Sequence, residues 1–132
     1  MPAQTNVTIK KNDGVTDITY TAVAPSAGDK SPAVYRSQTV GSAAAHQPEM
    51  RITSRSNGPG TARRVEGVYV YPSLVTGGDG KISVSDRFIL NFSGIVPLGM
   101  PTTDVNEAAS QGANLIAHVQ TKDVLKTGFA PT

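Results

Sequence analysis

Apolar and polar residues alternate from the start of the chain. Val7 and Ile9 are separated by Thr8 and Lys10, the period of two that places every second side chain on one face of a strand. Asn12-Asp13-Gly14 offers residues that accept the positive φ of a tight turn, and alternation returns through Ala24. Residues 7–24 therefore predict a β-hairpin. A polar loop follows, "APSAGDKSP", then a short strand from Ala33 to Val40 and the small-residue connection "GSAAAHQP". Two longer strands, Glu49–Ser56 and Ala62–Val75, flank Asn57-Gly58-Pro59-Gly60. After the turn "TGGDGK", a further long strand runs to Pro97.

Beyond Pro97 the period changes. Val105, Ala108, Ala109, Gly112, Leu115, Ile116 and Val119 recur at i, i+3, i+4 and i+7 spacing, which predicts a helix with one apolar stripe. Thr102 or Thr103 is the expected cap, with Asp104 and Glu107 in the first turn to suit the helix dipole. A second short helix is expected over residues 121–127, ending before Gly128. Strands followed by helices make an α+β chain: an N-terminal hairpin, an antiparallel sheet of about five strands, and two C-terminal helices. With 132 residues it reads as a single domain, 1–97 hairpin and sheet and 98–132 helical segment.

This order leaves a packing problem. One narrow stripe of Ala and Gly is too small to cover a sheet face, and an open sheet has two exposed edges. An intertwined homodimer solves both: two sheets join edge to edge into one continuous sheet, and each helical segment packs across its partner. The seven stripe residues are then the expected dimer interface.

Composition sharpens this picture. Aromatic residues are 5% and Trp is absent, so small aliphatics must fill the interior. Charged residues are 17%, below the typical figure of about 25%, as suits a surface partly covered by other chains. The formal net charge is only +2, but it is unevenly spread. Residues 51–100 carry six basic and three acidic side chains, whereas the flanking parts sum to zero and −1. Without cysteine, disulfides and thiolate chemistry are excluded. The N-terminus has no apolar leader and no run is long enough to span a membrane, so the expectation is a soluble intracellular protein with no membrane partner.

Enzyme chemistry finds little support. His46 falls in a loop and His118 on the helix beside the stripe, and neither has a carboxylate or nucleophile at supporting spacing. "TGGDGK" lacks the phosphate-loop frame, Asp79 and Asp86 suit turn and surface roles, and neither "DGVTD" nor "GGDG" alternates ligands as calcium loops do. No catalytic residue, metal site or cofactor is expected.

A polyanion face is better supported. Alternation puts Arg51, Thr53 and Arg55 on one side of their strand, and Arg87, Ile89, Asn91 and Ser93 opposite Phe88, Leu90 and Phe92. Arg63-Arg64 begins the intervening strand, where Arg64, Glu66, Val68 and Val70 oppose Val65, Gly67, Tyr69 and Tyr71; either set is free to face the core. Guanidinium groups bind phosphates bidentately, and Tyr35, Tyr69 or Tyr71 is available for base stacking.

At these residues the chain resembles the coat proteins of single-stranded RNA bacteriophages, the leviviruses. "NDGVTDITYTAVAP" is similar to the family's N-terminal hairpin, "RITSRS" to its basic strand, "RRVEGVYVYP" to its basic pair leading into a strand that ends in proline, and "RFILNFSGIVP" to the strand before the helices. The resemblance covers nearly the whole chain. It implies a dimer with interlocking helices that assembles into a T=3 icosahedral virion capsid in the bacterial host cytoplasm. It further implies genomic RNA bound on the inner sheet face, translational repression through an RNA hairpin, and a maturation protein as a further partner. The RNA-facing positions carried over are Arg51, Thr53, Arg55, Arg64, Asn91 and Ser93. Asn57, Gly58, Pro59 and Gly60 form the inter-dimer loop, expected to take different shapes in different shell positions. The chain departs from the best-known members at Ile89, where they place a stacking tyrosine, and at Glu66 and Val68, where they place polar or basic residues. Two other classes fit less of the sequence: a dimeric RNA-binding repressor that forms no shell, and a phage tail, pilin or adhesin subunit.

Overall fold

Six strands precede two helices in the computed structural model, which describes residues 2–38 and 43–132. They are β1 (Val7–Lys10), β2 (Asp17–Ala24), β3 (Ala33–Arg36), β4 (Glu49–Ser56), β5 (Ala62–Thr76) and β6 (Ile82–Pro97). All lie in one antiparallel sheet in the order of the sequence, β1 to β6. The hairpin is thus part of the sheet, giving six strands rather than about five. The third strand stops at Arg36 rather than reaching Val40, which lies outside the described residues, and a single 3-10 turn at Ala44–His46 enters β4.

Turn chemistry fixes the hairpins. Asp13 Oδ1 accepts from the backbone N–H of both Val15 and Thr16 at 2.9 Å, and Gly14 takes φ +72°. Hydrogen bonds from Thr16, side chain first and then backbone, hold the Asp13 carboxyl down at about 2. Between β4 and β5, Asn57 Oδ1 accepts from Thr61 N at 2.9 Å while Asn57 O accepts from Gly60 N at 3.1 Å, with Gly60 at φ +71°.

Register shows why β4 needs help along one side. Its pairing with the short β3 ends at Ala33↔Ile52, leaving Thr53–Ser56 without a strand neighbour there. The β2–β3 loop fills the gap: Lys30 N donates to Ser54 O at 3.0 Å, and Ser56 N donates to Asp29 Oδ2 at 3.4 Å. Asp29 also receives Arg63 Nη2 at 2.5 Å, which lowers the Asp29 pKa. Lys30 adopts φ +68° to make this turn.

The strand unit, Met1–Val96, buries little. Among the described residues the buried apolar side chains are Tyr20, Val34 and the prolines Pro48 and Pro72. Tyr20 meets Tyr69 edge-on, with centroids 6.0 Å apart and hydroxyls at 2.7 Å. On β6, Phe88 is 43% exposed and Leu90 and Phe92 are half-buried, so the apolar set expected to face a core is only partly covered.

The helical unit, Pro97–Thr132, contains α1 (Thr102–Ile116) and α2 (Val119–Thr127). Neither threonine caps α1. Pro101 holds that position without a side-chain bond, because the helix starts at Thr102 itself. Glu107 is consequently past the first turn, where its Oε1 accepts from Gln111 Nε2 at 2.6 Å. The helix also stops earlier than the stripe predicts. His118 is extended and caps α2, its Nδ1 accepting from Gln120 N at 3.2 Å, so Val119 begins the second helix instead of ending the first. Gly128 closes α2 in the left-handed conformation. No residue of either helix is buried. Of the predicted interface set, Val105 is half-buried and the other six are exposed.

Candidate nucleic-acid interface

Cross-strand partners share a face, so the β4–β5 register sorts the two sides of the sheet. Arg51 pairs with Val68, Thr53 with Glu66, and Arg55 with Arg64. On the other side Met50 pairs with Tyr69, Ile52 with Gly67, Ser54 with Val65, and Ser56 with Arg63. The question left open by alternation is answered: Arg64, Glu66, Val68 and Val70 lie with the arginines of β4. The neighbouring strand β3 adds Arg36, paired with Glu49.

The adjacent β6 is aligned by a close approach. A Cβ placed on Gly67 would lie 1.9 Å from the Phe92 ring, so Phe92 covers Gly67 on the apolar side. By alternation Asn91 and Ser93 then belong to the arginine side; a shallow cleft of about 250 Å³ is lined by Glu66, Gly67 and Val68 of β5 and by Asn91, Phe92 and Ser93 of β6. The structure therefore brings all six predicted RNA-facing residues, Arg51, Thr53, Arg55, Arg64, Asn91 and Ser93, onto one face of the sheet.

Charge on this face is organised into two groups, each with one glutamate shared by two arginines. Glu49 Oε1 accepts from Arg51 Nε at 3.1 Å and from Arg36 Nη2 at 3.3 Å. Glu66 Oε1 forms ion pairs with Arg64 Nε at 2.8 Å and Arg55 Nη2 at 3.5 Å. Each glutamate thus sits between two arginines and leaves one net positive charge. Sequence reasoning missed Arg36 and Glu49, although Glu49 stands two residues before Arg51 and so shares its face. Arg63 is separate: it lies on the opposite side, bound to Asp29 and within 3.4 Å of Ser54 Oγ.

The tyrosines are elsewhere. Tyr35 and Tyr69 both pair with Met50, which puts them on the apolar side, and Tyr71 follows Tyr69 at strand spacing. Burial and the bond between them raise the Tyr69 pKa, and burial raises that of Tyr20. The arginine face instead exposes Val68 and Ile89, the latter at 57%. Phosphate binding is within its chemistry; base stacking on tyrosine is not.

Among the described residues, no group of three or more His, Cys, Asp or Glu side chains is placed to hold a metal ion. Among the same residues, no helix is long and apolar enough to cross a membrane.

No family model and no curated protein matches the chain by sequence. Solved structures do match. A virus-like particle of Beihai levi-like virus 21 superposes with a TM-score of 0.82 at 18% identity, over 99% of both chains. One of bacteriophage NT-214 gives 0.81 at 12% identity, over 99% of this chain and 100% of that one. The chain has the fold of single-stranded RNA phage coat proteins. The bacteriophage GA capsid protein shares it at 17% identity and a TM-score of 0.69, over 85% and 84% of the two chains. Strand order, the hairpin and the paired C-terminal helices are all accounted for in this fold.

Proposed function

We propose that this chain is a phage coat protein: it dimerises, assembles into an icosahedral virion shell, and packages single-stranded RNA against its arginine face. The observation that carries the reading is end-to-end superposition on virus-like-particle subunits, without a large insertion or missing element. Dimerisation has support in the chain itself. β6 is a sixteen-residue strand at the sheet edge, and its stretch from Phe88 to Pro97 contains no charge. Such an edge invites pairing with another chain. The opposite edge, β1, has only four residues and ends at Lys10, a protected edge by contrast.

In the proposed dimer two β6 edges meet, and Val105, Ala108, Ala109, Gly112, Leu115, Ile116 and Val119 pack on the second copy. Asn57, Gly58, Pro59 and Gly60 make contacts between dimers. A T=3 shell, a maturation protein as partner, assembly in the bacterial cytoplasm and repression through an RNA hairpin extend the same reading. The role is structural, without catalysis. Expression followed by size exclusion and negative-stain microscopy tests it: RNA-filled shells tens of nanometres across are expected, and a stable small dimer as the sole product overturns shell formation.

A further inference from the structure

The arginines of the candidate interface are not idle cations. Arg36–Glu49–Arg51 and Arg55–Glu66–Arg64 repeat one arrangement, a single carboxylate oxygen shared by guanidiniums from adjacent strands. The Glu66 set is half-exposed, with side chains 43–47% accessible, so solvent and an incoming phosphate both reach it. We infer that Glu66, seconded by Glu49, is an internal competitor for the RNA phosphates, setting how tightly the face holds single-stranded RNA. This rests on the RNA-packaging reading and adds a regulatory element within the same face.

The competing effects can be weighed. Glu66 holds Arg55 and Arg64 in place, which favours phosphate binding by reducing ordering cost. Exposed pairs of this kind confer little order or energy. Against that, the carboxylate cancels one of two positive charges within a few ångströms of an arriving phosphate, an effect that salt only partly screens at such range. Charge therefore wins, and RNA binding exchanges a carboxylate for a phosphate at the guanidiniums. The geometry fits a protein that must bind a genome along its length without fixing each contact: affinity per site is held low by the protein's own acids.

The test uses the full chain as purified particles dissociated to their smallest soluble unit, with a fluorescent 20-nucleotide oligouridylate titrated by anisotropy across a salt series. Glu66→Gln retains shape and can still accept from Arg64. It is expected to bind about tenfold tighter at moderate salt and to steepen the log–log salt slope by about 0.7, one more phosphate contact on a single strand. Glu49→Gln should act in the same direction through Arg36 and Arg51, a second variant should either fold poorly. Arg55→Gln/Arg64→Gln is the control for the interface itself. If that control weakens binding while both glutamine variants bind no tighter than the unmodified chain, the competitor role is overturned and the interface stands. Should the arginine control leave binding unchanged, the assigned face itself is overturned, and the inference with it.

Discussion

The two faces of β4 and β5 are built from the same strands but held by opposite means. On one, the charged side chains are partly open to water and linked to neighbours of opposite charge, as Glu66 is to Arg55 and Arg64. On the other, apolar groups touch at fixed geometry: Phe92 over Gly67, Tyr20 edge-on to Tyr69. Packing tolerates little change, because interiors are close-packed. Half-exposed ion pairs tolerate much, because water replaces what is lost. Substitutions on the apolar face should therefore disturb folding, and those on the charged face should disturb binding.

The largest expected effect is at Gly67. Gly67→Val would drive its side chain into the Phe92 ring, and the strand or ring must move. A loss of about 3 kcal/mol or more is expected, read by urea unfolding of the purified protein. Combining Gly67→Ala with Phe92→Ala should cost less than the sum of the single changes, since each removes what the other collides with or leaves bare. Additivity would mean that the two residues do not meet.

On the charged face, replacing Arg51, Arg55 and Arg64 together with Gln should leave dimers and their stability nearly intact. Co-purified RNA should fall, and the salt slope of RNA binding should flatten by about 2, at roughly 0.7 per phosphate contact. An unfolded or monomeric product would break the division of labour between the faces.

Much of this division was legible in the sequence. Alternation placed Arg51, Thr53 and Arg55 on one side and Phe88, Leu90 and Phe92 on the other because period two is a local property of any strand. It could not say which side of β5 joined the arginines, since that depends on register across strands, here Arg55↔Arg64. Asp29 binding Arg63 was hidden for the same reason: the pair is 34 residues apart. Gly67 inside a strand was a readable signal of close backbone approach, but nothing local named Phe92 as its cover. In the helices, periodicity continued through Val119 although the chain breaks at His118, because the stripe reports a face and a histidine cap does not interrupt it.

A smaller effect concerns the Tyr20–Tyr69 pair. Tyr69→Phe should cost about 1 kcal/mol by leaving the Tyr20 hydroxyl without this partner. In the unmodified protein, ultraviolet titration should find Tyr20 and Tyr69 ionising above the ordinary tyrosine range. Because both folded-state pKa values are raised above the unfolded value near 10, the pair's contribution is full below about pH 10 and erodes above it. Ionisation of both Tyr20 and Tyr69 in the ordinary range would contradict the pairing. The smallest effect is at the hairpin turn. Asp13 is lowered to about 2, so its contribution is present above the unfolded carboxylate range and lost as pH falls through about 2. Asp13→Asn should leave the turn's amide exchange faster at neutral pH and less sensitive to acid, with the rest of the sheet unchanged.

The most direct measurement is cryo-electron microscopy of particles formed by this chain in a host that supplies RNA. The account predicts a closed shell with the Arg51, Arg55 and Arg64 face turned inward and nucleic-acid density against it. A shell with that face turned outward, or an inner surface bare of density beside these arginines in RNA-containing particles, would contradict it.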